Sequence, residues 1–159
     1  MSFSASIRRA RPTAALLLCS LSGWAQSSPV TAESPAKVTV KAGETAVSKV
    51  RFRLASGYHT NSNTPSDPYL IPLKLTWESA PLEVAGIEYP KAHLEKYAFS
   101  EKPLSVFTGD FDVTTRLKAP ASAPKGPREL NGKLRYQACT DTTCLPPKTA
   151  AFKLHVEIR

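Results

Sequence analysis

Apolar residues recur at every second position along much of this chain. Val50, Phe52 and Leu54 alternate with Lys49, Arg51 and Arg53, and Phe111, Val113, Thr115 and Leu117 with Asp112, Thr114, Arg116 and Lys118. Leu134, Tyr136 and Ala138 alternate with Lys133, Arg135 and Gln137, and Phe152, Leu154, Val156 and Ile158 with Lys153, His155 and Glu157. A strand sends successive side chains to opposite faces, so each segment has one face for a core and one for water. Val38 and Val40, Ile71 to Trp77, Leu82 to Tyr89 and Leu104 to Phe107 add shorter runs. No segment carries a convincing helical period. About seven to nine short strands separated by turn formers predict an all-β, antiparallel β-sandwich. The 14 prolines suit loops and guarded edges. A length of 159 residues suits one domain.

The N-terminus reads differently. Arg8, Arg9 and Arg11 form a basic start, Ala14 to Leu21 is apolar apart from Ser20, and Gly23-Trp24-Ala25 offers small residues for cleavage. This pattern predicts a secretory signal peptide over residues 1–25. The apolar run is shorter than the roughly 20 residues of a membrane span. Gln26 to Ala36, rich in Ser, Pro and Ala, is expected to be a flexible lead-in, with the folded domain over 37–159. Losing the leader lowers the net charge of +8 by three. The remaining basic residues (Lys49, Arg51, Arg53, Arg116, Lys118, Lys133, Arg135) alternate with apolar ones, as a solvated sheet face does, and no nucleic-acid partner is expected. The leader also takes Cys19 and Met1. Cys139 and Cys144 then remain, which in an exported protein predicts one disulfide in an oxidising compartment.

Those cysteines lie in Arg135-Tyr-Gln-Ala-Cys139-Thr-Asp-Thr-Thr-Cys144-Leu-Pro-Pro147. With the flanking runs paired antiparallel, Thr140 to Thr143 form a hairpin loop of ordinary length. The cysteines then oppose each other at Cα separations of about 4.5–5.5 Å, which a disulfide spans. As a staple it is weak. Closing so short a loop contributes about 2 kcal/mol, against about 4 for a loop of fifty residues. The period puts Cys139 in phase with Lys133, Arg135 and Gln137, so its sulfur is expected off the core face at an exposed tip. Pro146 and Pro147 end the ladder beside it. Two readings stay open on spacing alone: an exchanging disulfide, or a structural one in a secreted binding module that uses the Ser56 to Pro68 loop or an edge strand. Metal binding is disfavoured. His59, His93 and His155 are scattered, His155 reads as a surface residue, and neither a metal nor a cofactor is expected. Two long segments resist the period. Ser56 to Pro68 reads as a loop dense in turn formers, and Lys91 to Pro103 as a loop or an irregular helical turn.

Tyr136-Gln-Ala-Cys-Thr-Asp-Thr-Thr-Cys-Leu-Pro-Pro147 resembles the active-site segment of the N-terminal periplasmic domain of DsbD, a transmembrane thiol–disulfide reductase. Gly57-Tyr-His-Thr-Asn-Ser-Asn-Thr-Pro65, followed by Ile71-Pro-Leu73, is similar to a second loop of that family. The resemblance runs from about Ala36 to Ile158. It implies an immunoglobulin-like sandwich in which Cys139 and Cys144 are the redox pair, exchanging thiols in the periplasm. The implied partners are a membrane-embedded thiol reductase, as electron source, and periplasmic thioredoxin-like proteins. It also implies a cap loop with an aromatic shield. The match falls on Lys96-Tyr97-Ala98-Phe99, which makes Phe99, or failing it Tyr97, the cap. This chain has four residues between the cysteines where the best-known members have five. The resemblance extends neither to a membrane domain nor to a C-terminal thioredoxin-like domain, so a free-standing module with a separate electron donor is expected.

Overall fold

A computed structural model of the protein describes residues 28–159. The signal peptide expected over 1–25 and the first two residues of the lead-in lie outside the described residues.

The strongest alternating runs become the longest strands. Thr45–Leu54 (β3), Phe111–Lys118 (β9), Gly126–Tyr136 (β10) and Lys148–Ile158 (β12) bury every second side chain over most of their length. They sort into two facing sheets. One has the order β1-β3-β9-β6, with β1 at Val30–Ala32 and β6 at Glu83–Glu88. The other has the order β2-β12-β10-β5, with β2 at Val38–Val40 and β5 at Lys74–Glu78. Their inner faces interdigitate. One cluster joins Val50, Phe52 and Val113 of the first sheet to Leu75, Leu134 and Tyr136 of the second. Another joins Leu117 to Leu130, Leu154, Val156 and Ile158. Phe52 stacks on Phe111 with centroids 5.5 Å apart and meets Phe152 edge-on at 5.6 Å. The Trp77 indole N–H donates to buried Thr115 across the sandwich at 3.1 Å. Gly132 pairs with Phe152, and a Cβ on it would run into the Phe152 ring. The fold is the all-β, immunoglobulin-like sandwich expected.

The structure corrects several expectations. The described residues form twelve strands rather than seven to nine, because several are only two or three residues long. The lead-in is not wholly outside the fold. Val30–Ala32 pairs with β3, and Val30 is buried in the core. The chain then crosses to the other sheet, where Val38–Val40 lies parallel to β12, the one parallel pair of strands described. Neither long segment is structureless. Each contributes a strand to a third sheet, of order β11-β4-β8-β7, made of Ala138–Cys139 (β11), His59–Asn61 (β4), Leu104–Thr108 (β8) and His93–Glu95 (β7). No helix of the described residues is long and apolar enough to cross a membrane.

Candidate functional site at the third sheet

The two cysteines reach the third sheet through a break in the second. β10 pairs with β12 up to Tyr136–Lys148. After Gln137 the chain leaves that ladder, and Ala138 and Cys139 pair instead with Thr60 and His59 of β4. Gln137 holds the junction. Its amide donates to Leu145 O at 3.1 Å, and its carbonyl oxygen accepts from Asn61, which also donates to Ile71 O at 3.0 Å. The Leu145 N–H returns to Ala138 O at 2.8 Å. Between them the Thr140 N–H donates to Thr143 O at 2.8 Å, and the Thr140 hydroxyl accepts from the Thr143 N–H at 3.2 Å. The short polar segment therefore satisfies its own backbone and brings Cys139 and Cys144 together.

They form a disulfide with Cα atoms 3.9 Å apart, closer than the expected spacing of opposed residues. The hairpin tip is exposed at Asp141 to Thr143, as expected, but the Cys139 sulfur beside it is not. Cys139 is 1% exposed and Cys144 half-buried. Phase gets the side right and the exposure wrong. Ala138 belongs to the main core, and Cys139 does not. The sulfur lies on the other face of the third sheet, which has a small core of its own: Tyr97, Leu104 and Val106, with Leu70 against them.

Paired residues on adjacent strands project to the same face. Cys144, Cys139, His59 and Thr108 are successive partners and so form one row across the sheet. His59 is 3% exposed, and the Tyr97 ring lies flat over it with centroids 3.8 Å apart. Phe99 stacks on Tyr97 in turn, at 5.6 Å, and is 41% exposed. Of the two aromatic residues expected to shield the sulfurs, Tyr97 is the buried one against His59, and the more exposed Phe99 lies beside that stack, its ring 6.3 Å from the His59 ring. The Tyr97 hydroxyl donates to Glu95 at 2.6 Å. Burial first, then that bond and the charges of Glu95 and Asp141, push the phenol well above its usual range. Burial lowers the His59 imidazole from its ordinary value, while Glu95 and Asp141 act the other way. His59 Nε2 is buried with no hydrogen-bond partner among the described residues.

The sequence pattern does not single out His59, Glu95 or Gln137. His59 falls in a polar run without alternation, and only the likeness of Gly57 to Pro65 to a family loop marks its neighbourhood. His93 and His155 are exposed and belong to other elements. Among the described residues no group of three or more His, Cys, Asp or Glu side chains is arranged to hold a metal.

Residues 26–156 match the family of the N-terminal domain of thiol:disulfide interchange protein DsbD. The chain belongs to that family. Among solved structures it is similar to the DsbD N-terminal domain of Neisseria meningitidis in the reduced form, at 22% identity over 69% of this chain and 77% of that one, with a TM-score of 0.47. It is also similar to the N-terminal periplasmic domain of ScsB from Proteus mirabilis, at 16% identity and a TM-score of 0.51. That likeness, which bears on the fold alone, covers 79% of this chain and 44% of the ScsB chain. A comparison with curated proteins gives no match. Membership in the family and the disulfide together make this a thiol–disulfide interchange module.

Proposed function

We propose that this protein relays electrons in the periplasm through the Cys139–Cys144 pair, from a membrane-embedded thiol reductase to thioredoxin-like proteins. The observation that carries the reading is the asymmetry of the two sulfurs. Cys144 is half-buried at the mouth of a short loop, whereas Cys139 is covered. An incoming thiolate reaches Cys144, breaks the disulfide and forms a mixed disulfide there, and Cys139 leaves as a thiolate. The partner's second thiol then releases Cys144, which leaves the domain reduced and the partner oxidised. In the next exchange Cys144 attacks the acceptor's disulfide and Cys139 resolves it. Tyr97, with Phe99 beside it, is the cap over this face and limits which thiols enter. The position supports exchange over stapling, because a bond closing so short a loop constrains the unfolded chain little.

The test is a redox titration of the purified domain. An exchanging pair is expected to have a potential above about −300 mV, and a structural bond one below it. Cys139→Ala is expected to accumulate a mixed disulfide through Cys144 with a thioredoxin-like protein. A potential below that limit, with no trapped species and the fold intact, would overturn the relay and leave a binding module with a structural disulfide.

A further inference from the structure

We propose that His59 is the proton-holding partner of Cys139: its imidazole donates a hydrogen bond and a proton to the thiolate set free when the disulfide opens. This rests on the exchange reading above and adds to it a residue outside the cysteine pair.

Three observations carry it. His59 is the register partner of Cys139 on the adjacent strand, so both side chains project to one face. The imidazole is almost wholly removed from solvent. Its Nε2 has no partner among the described residues while the disulfide is closed. An unmade hydrogen bond on a buried group costs about 1–3 kcal/mol. A phenylalanine would stack under Tyr97 equally well without that cost. The orphan nitrogen makes sense if its partner exists only in the other redox state. A disulfide sulfur is a poor acceptor, whereas a thiolate is a charged and strong one.

The surrounding charges fit a proton that moves with the electrons. Glu95 faces His59 from β7 and Asp141 from the cysteine hairpin, with the Tyr97 hydroxyl tied to Glu95. Both carboxylates favour imidazolium, and burial opposes it more strongly. A thiolate on Cys139 adds a third negative charge and favours protonation of the ring. The chemistry balances with a dithiol reductant. One thiolate of the dithiol attacks Cys144 Sγ, the Cys139–Cys144 bond breaks, and its electron pair leaves on Cys139 Sγ. As charge builds on that sulfur, His59 takes a proton from solvent, passes it to Cys139 Sγ and returns to the neutral imidazole. The second thiolate of the dithiol attacks the mixed disulfide, forms the dithiol's own disulfide and releases Cys144, which takes a proton from water. Two electrons and two protons have entered the pair.

The test compares wild type, His59→Phe and His59→Gln, using dithiothreitol as the reductant so that partner docking plays no part. His59→Phe is expected to slow reduction by about tenfold or more near neutral pH and to flatten its pH profile. His59→Gln keeps an N–H donor, and is expected to recover part of the rate but not the pH dependence. In wild type, the NMR titration of the His59 ring is expected to differ between the oxidised and reduced proteins, a readout that survives even if a variant misfolds. Identical pH profiles in the three proteins, or a His59 titration indifferent to redox state, would overturn the proposal while leaving exchange intact. A wild-type disulfide inert to dithiothreitol at every pH would overturn both readings together.

Discussion

The main sandwich and the third sheet are built from the same chain by opposite rules. In the sandwich, strands of up to eleven residues alternate, and the inward positions are mostly Val, Leu, Ile and Phe, joined by Tyr136, Gly132 and the buried Ser48 and Thr115. In the third sheet, strands run from two to five residues. Its β4 buries His59, Thr60 and Asn61 in succession, all polar, and three of their side-chain atoms lack partners among the described residues. Burial of apolar area stabilises the first region at about 25 cal/mol per Å². The second has little such area and several unmade hydrogen bonds, each a cost. The sandwich is therefore the scaffold, and the third sheet is where the fold tolerates strain in its polar groups beside the sulfurs.

That contrast can be broken most sharply at Phe52. Phe52→Ala removes a fully buried ring between Phe111 and Phe152. It is expected to cost about 3–5 kcal/mol in urea unfolding, with little change in the dithiothreitol reduction rate of whatever remains folded. Replacing both cysteines by serine is expected to cost about 2 kcal/mol, with the far-ultraviolet circular dichroism retained. A loss as large as that of Phe52→Ala would make the hairpin part of the scaffold after all. Tyr97→Ala strips the ring from His59 and the face it shares with Cys139. Reduction by dithiothreitol should accelerate, while the urea midpoint moves less than for Phe52→Ala. A slower reduction would show that Tyr97 promotes access rather than limiting it.

The smallest effect is electrostatic. His59 binds its proton less readily folded than unfolded, where its value is 6.5. Between the two values the unfolded chain holds more protons, so stability rises with pH in that window. The oxidised protein should therefore lose stability as pH falls below about 6.5, and His59→Phe should remove that part of the slope. Stability curves measured at a series of pH values for the two proteins give the difference directly.

The sequence made one of these regions legible and left the other mostly hidden. Alternation located β3, β9, β10 and β12 because burial on one face of a strand imposes the period directly. It passed over β4, because His59 and Asn61 share one face while Thr60 takes the other, and neither set is apolar. It carried the strand of Tyr136 straight on to Cys139, because nothing local to Gln137 reveals that the chain changes partners there. The side chain of Gln137 is held by Leu145 and Asn61, and the second of these is far away in sequence.

What the sequence by itself determined was the all-β class, the pairing of the two cysteines and the family motif around them, since periodicity, a short loop and residue identity are local properties. Tertiary structure alone decided that Cys139 is buried while Cys144 is half-buried, that Tyr97 rather than Phe99 is the ring packed flat on His59, and that His59 is the strand partner of Cys139. Each of those depends on which distant strand arrives next to which, and a strand's neighbours are chosen by the packing of the whole sandwich.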